Sequence, residues 1–144
     1  MVDALRRARG WLRPGGILID VRPTAEPAYL EVLLPPRVAV AGRIGDLNDA
    51  IGPNARHARA ETALALALER GWFVTEMRCE FSFHRYADSV AEVRDHVRGD
   101  WLGAAIADEA LEQATRLLAS EAGARLRLRE QVGIARLRLG NAGG

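Results

Sequence analysis

The 144 residues include no lysine, one cysteine, two methionines and two tyrosines, and their charges cancel to a net +1 at pH 7. Each shortage removes a class of protein. A single cysteine, Cys79, forbids an intrachain disulfide and with it a cross-linked secreted scaffold, so a reducing, cytoplasmic setting is expected. Acidic and basic residues are interspersed, so no field is offered to a polyanion, and nucleic acid is not the expected partner. No stretch reaches the roughly 20 apolar residues of a bilayer span, and no apolar segment follows Arg6, Arg7 and Arg9. Neither membrane insertion nor export by that route is expected. The sequence also has no G-x-G, and Gly42-Arg43-Ile44-Gly45 lacks the spacing of a phosphate or cofactor loop. All 20 basic residues are arginine, each a ready fork for carboxylate or phosphate, although a GC-rich coding sequence explains that bias by itself.

What is present suits one domain over residues 1–144: 49% of the chain is hydrophobic, enough for a core. Val2, Leu5, Ala8, Trp11 and Leu12 recur at helical spacing, and Arg13-Pro14-Gly15-Gly16 stops that helix. Residues 17–21 are almost continuously apolar, the pattern of a central strand buried on both faces of a parallel sheet. Residues 1–21 thus read as helix, turn and strand. Residues 22–55 form a proline-rich excursion with Pro23, Pro27, Pro35, Pro36 and Pro53, within which 30–34 and 38–44 read as a β-hairpin.

Residues 56–140 read as helix, strand, helices and strand. A stripe of Ala60, Ala63, Leu64, Ala67 and Leu68 before Gly71 marks the helix. Residues 73–84 alternate Phe73, Met77, Cys79 and Phe81 with polar neighbours, predicting a strand with one core face and one wet face. Asp88-Ser89 caps a helix bearing Val90, Val93 and Val97, and another begins at Asp108. A closing strand follows over 124–139, with a bulge or turn near Glu130-Gln131.

The run Leu12-Arg13-Pro14-Gly15-Gly16-Ile17-Leu18-Ile19-Asp20, and the order of elements after it, resembles class I S-adenosylmethionine-dependent methyltransferases from the helix before their fifth strand onward. The resemblance implies an α/β fold, a three-layer partial Rossmann-like sheet with mixed parallel and antiparallel strands. In that family a seventh strand lies antiparallel between the fifth and sixth, and residues 17–21, 73–84 and 124–139 would fill those places. The family's glycine-rich cofactor loop is missing. S-adenosylmethionine is then implied only where a partner chain supplies the other half. The exposed flank of the fifth-strand equivalent favours a homodimer or a cofactor-binding partner chain.

Ligands in open α/β sheets sit beyond the carboxyl ends of parallel strands, which selects Arg22 on the first strand as an anion-binding candidate. His84, Arg85 and Tyr86 would emerge on the same rim if residues 73–84 run parallel to it. These four are the expected substrate contacts for a small molecule; no catalytic residue and no metal site is identified. Other candidates carry plainer readings. His57 is a surface histidine at a helix start, and Cys79 a buried thiol beside Phe81. Glu26, Glu31, Asp46 and Asp49 are solvated loop acids. Arg125, Arg127 and Arg129 share one face of a strand, as either a phosphate track or a solvated edge. Two functions remain: the substrate-side half of a methyltransferase, or a non-catalytic α+β dimerisation or interaction module derived from that fold.

Overall fold

A computed structural model of the chain describes residues 1–47 and 52–140. Ten elements follow one another: α1 (Val2–Trp11), β1 (Ile17–Pro23), β2 (Tyr29–Leu34), β3 (Arg37–Asp46), α2 (Pro53–Glu69), β4 (Phe73–Ala87), α3 (Val90–Asp100), β5 (Ala104–Ile106), α4 (Asp108–Ser120) and β6 (Arg125–Leu139). The six strands form one open α/β sheet built around β6. On one flank β6 pairs with β4 along nearly its whole length; on the other it pairs first with β2 and then with β1, while β3 and β5 extend the sheet beyond β2.

Every pairing among the described residues is antiparallel. The mixed sheet expected from the sequence therefore has no directly bonded parallel pair. β1 and β4 do run in the same direction, because each is antiparallel to the β6 that separates them.

The pattern of β6 decides where the cores lie. Leu126 and Leu128 are even-numbered, whereas Ala135 and Leu137 are odd-numbered, and the register against β4 stays unbroken from Leu126 to Arg136. With side chains alternating across an uninterrupted strand, the two pairs face opposite sides of the sheet. Leu126 and Leu128 join Leu30, Val32, Val93, Val97 and Ala114 in a core beneath α3 and α4. Ala135 and Leu137 join Leu64, Ala67 and Phe73 beneath α2, with Leu5 and Leu12 of α1 at the margin. Helices thus cover both faces, each over a different half. The bulge expected near Glu130-Gln131 is absent; the change of face does its work.

Two segments differ from their expected burial. Ile17, Ile19 and Val21 of β1 are exposed, because among the described residues β1 is bonded only to β6 and its odd-numbered side chains lie on the face that α2 does not cover. β1 is an edge strand, not an interior one. In β4 only Phe73 is buried; Met77, Phe81 and Phe83 are about half exposed and Cys79 is exposed, since β4 lies at the opposite edge. The hairpin is present, turning at Pro35-Pro36, and Asp88-Ser89 caps α3: Ser89 Oγ accepts from Glu92 N at 3.1 Å.

Close packing fixes two glycines. A Cβ on Gly42 would lie 2.2 Å from the Cβ of Ala110, so α4 can rest on β3 only where no side chain intervenes. At Gly52 a Cβ would lie 2.0 Å from Asp46 Cγ, whose carboxylate caps α2 by accepting from Asn54 N and Ala55 N at 3.0 and 3.1 Å. Gly42→Ala is expected to destabilise the chain by about 1–3 kcal/mol through overpacking. Pairing it with Ala110→Gly should recover part of the loss, as read by urea unfolding.

Candidate functional site at the carboxyl end of β1

β1 ends where β6 passes from one neighbour to the next, and residues 24–28 cross that gap. Asp20 and Arg22 point toward α2 with Gly133 and Ala135 opposite them. Arg22 Nε donates to Asp20 Oδ2 at 2.8 Å, and its Nη1 is buried without a hydrogen-bond partner among the described residues. From α2, Glu61 Oε1 accepts from Ala25 N at 3.1 Å and so ties the crossing segment to the helix. A groove of about 330 Å³ runs from here along α2, with Arg22, Arg78 and Glu61 among its walls. At its inner end beside Thr24 the free volume falls to about 10 Å³, room for one water.

On the other side of Pro23 lies a cleft of about 210 Å³ that holds His57, Arg56, Glu130, Asp100 and Trp101. His57 and Glu61 are one helical turn apart on α2, and that spacing is what brings both to the end of β1. Burial, and then the charge of Arg56, hold the His57 imidazole below its ordinary 6.5, against a hydrogen bond to the Thr24 backbone. Burial pushes the Glu130 carboxyl above its ordinary 4.5. One cleft therefore contains a histidine held toward its neutral form and a carboxyl held toward its protonated form, two groups whose pKa values are drawn toward each other. Sequence reasoning passed over both, and the signal available for His57 was its spacing from Glu61.

The four residues selected from the sequence do not come together. Arg22 is level with Gly133 and His84 with Arg129, four residues further along β6, or about 13 Å, and on its other flank. β4 outruns β1, so its end lies across β6 from β2. Arg85 points to the opposite face from His84 and Tyr86, and its partner in register is Leu128. His84 is partly buried and its Nε2 lacks a partner among the described residues. Tyr86 lies under the Arg125 guanidinium at 5.2 Å.

The arginine series forms neither a phosphate track nor a solvated edge. Glu31, expected in solvent, is 3% exposed on β2 and bridges two of its members: Oε2 accepts from Arg127 Nε at 2.6 Å and Oε1 from Arg129 Nε at 2.7 Å. Arg129 also stacks over Tyr29 at 4.7 Å. Asp46 is the cap of α2, Glu26 is exposed as expected, and Asp49 lies outside the described residues.

No known protein family matches the chain, and neither does any curated protein or solved structure. Among the described residues no helix is long and apolar enough to cross a membrane, and no cluster of three metal-ligating side chains occurs. The chemistry on offer is that of anion contact and proton exchange: an arginine with a free donor, a glutamate and a neutral histidine around one strand end.

Two titrations check these environments. Burial raises the pKa of Glu31, but hydrogen bonds and charge from Arg129 and Arg127 outweigh it and hold the carboxyl below 4.5. Its stabilisation is complete above 4.5 and lost as pH falls through the lowered native value. Glu31→Gln should cost about 1.5–3 kcal/mol at pH 7 and flatten the acid limb of the stability profile, measured by chemical unfolding. NMR titration of His57 should give a midpoint below 6.5, with its contribution to stability lost as pH drops beneath that value.

Proposed function

We propose that the chain is a methyltransferase-like protein equivalent to the substrate-side half of an S-adenosylmethionine-dependent methyltransferase, inactive by itself. One observation carries this reading: β1 and β4 run in the same direction on either side of an antiparallel β6, with α2 between them in sequence. That is the arrangement implied by the resemblance beginning at Leu12-Arg13-Pro14-Gly15-Gly16. With helices on both faces, the finer reading of the fold is a partial, three-layer Rossmann-like sheet.

The residues present do not fit the cofactor. The chain has no glycine-rich loop, Arg22 is engaged by Asp20, and the space beside Thr24 is the size of a water and not of an adenosine. Methyl transfer then requires a second chain carrying the cofactor half, in the cytoplasm, where the lone thiol stays reduced. The groove along α2 would receive a small acceptor, with Arg22 contacting an anionic group and Glu61 lining the wall beside it. Orientation would supply more of the rate than either group.

The uncovered face of the β1–β6–β4 end supports a second reading, a non-catalytic interaction module derived from that fold. Ile19, Val21, Met77, Phe81 and Phe83 all lie there, each at least 43% exposed. Apolar patches of this kind mark interaction surfaces more often than catalytic ones.

Reconstitution separates the two. Co-expression with a polypeptide encoded just upstream that carries a glycine-rich loop after an apolar strand should yield saturable S-adenosylmethionine binding by calorimetry, with none by the chain alone. Binding by the isolated chain would overturn the half-protein reading. The absence of any such upstream polypeptide, or of binding by the pair, would transfer the case to the interaction module.

A further inference from the structure

The described part of the sheet has four stretches of free edge: β1, β4, β5 and the outer flank of β3 before Ile44, where β3 bulges opposite Leu30 and Glu31. β4 carries an irregularity between Thr75 and Met77 and the charges of Glu76, Arg78, Glu80 and Arg85. β5 is three residues long. β1 offers seven residues with neither bulge nor lysine, and only Pro23, at its end, lacks a donor. Charges, prolines, bulges and shortness are the means by which sheets discourage edge pairing; β1 has no bulge, and its two charges, Asp20 and Arg22, engage each other.

The direction of its backbone groups follows from two hydrogen bonds flanking the strand. Leu139 N donates to Gly16 O at 3.1 Å, and Thr24 N donates to Gln131 O at 2.8 Å. Alternation in an antiparallel pair then turns the N–H and C=O groups of Leu18, Asp20 and Arg22 toward β6. Those of Ile17, Ile19 and Val21 point out of the sheet edge. Three donors stand in a row beside side chains that are themselves 39%, 55% and 57% exposed.

We propose that a second copy of this chain pairs with this edge, β1 against β1, antiparallel about a two-fold axis through Val21. In that register Val21 exchanges both backbone hydrogen bonds with Val21 of the second copy, and Ile19 N–H donates to the carbonyl of Pro23. The missing N–H of Pro23 removes one bond on each side of the axis. Charge selects the register. Asp20 falls opposite Arg22 of the second copy, twice by symmetry, so each Asp20–Arg22 pair within a chain gains a neighbour of opposite sign across the axis. A register centred on Ile19 would regain the lost bonds but place Asp20 against Leu18 and leave the two charges without a partner of opposite sign across the axis. An isologous interface of this kind closes as a dimer and goes no further. The inference does not rest on the methyltransferase reading, which it neither needs nor excludes.

Three measurements on the isolated chain test it. Light scattering should give twice the 15.7 kDa monomer mass. Hydrogen exchange should show the Ile19 and Val21 amides slowed at least tenfold at high concentration relative to dilute protein. In a Cys79→Ser background, oxidised Val21→Cys should form a covalent dimer, since the paired Cα atoms lie at about 5.5 Å, within disulfide reach, while Ile19→Cys should stay uncrosslinked. A monomeric chain, a dimer in which the Ile19 and Val21 amides exchange freely, or crosslinking through Ile19→Cys in place of Val21→Cys would each overturn the proposal.

Discussion

Everything in this fold hangs on β6 and on the fact that its hydrophobic residues change parity halfway along. Leu126 and Leu128 face one side, Ala135 and Leu137 the other, and an unbroken register with β4 leaves no bulge to reconcile them. The sheet therefore cannot be covered by one layer of helices. α3 and α4 must lie over one half, and α1 and α2 over the other on the opposite face. Each half keeps one bare side, which is why so many apolar residues of β1 and β4 remain in contact with water in a chain with two well-filled cores.

Much of this was legible from residues. The helices, the hairpin and the long strands follow from periodicity and from proline and glycine positions, and the cap at Ser89 follows from its side chain. What local pattern does not carry is neighbourhood. Residues 17–21 look like an interior strand because a continuous apolar run is the same string whether it is covered or bare. The parity change in β6 was visible, but it has two solutions, a bulge that keeps one face or a straight strand that uses both, and only the packing of α2 against the second half decides. β5, three residues long, is below what any period can signal.

The charged groups show the same division. A sequence places Arg125, Arg127 and Arg129 on a common face but says nothing of Glu31, 96 residues from Arg127, which closes the pair at 2.6 Å. His57 looked ordinary because its partner, the Thr24 backbone, is defined by the segment crossing from β1 to β2. Conversely, Arg22 with His84 and Tyr86 failed as a cluster for a metric reason: β4 is fifteen residues to the seven of β1, so equal direction does not bring the strand ends level. Direction is written in topology and distance in length, and a pocket needs both.

The parity change also constrains how the gene can drift. Inserting or deleting one residue of β6 between Arg129 and Val132 would rotate everything downstream by half a pleat, sending Ala135 and Leu137 into water and Ile134 and Arg136 beneath α2. A two-residue change would restore the faces yet slide β1 and the start of β4 out of alignment by two positions. The short stretch around Glu130 and Gln131, unremarkable in composition, is therefore held to a fixed length by cores that lie on either side of it, while its side chains are free to vary.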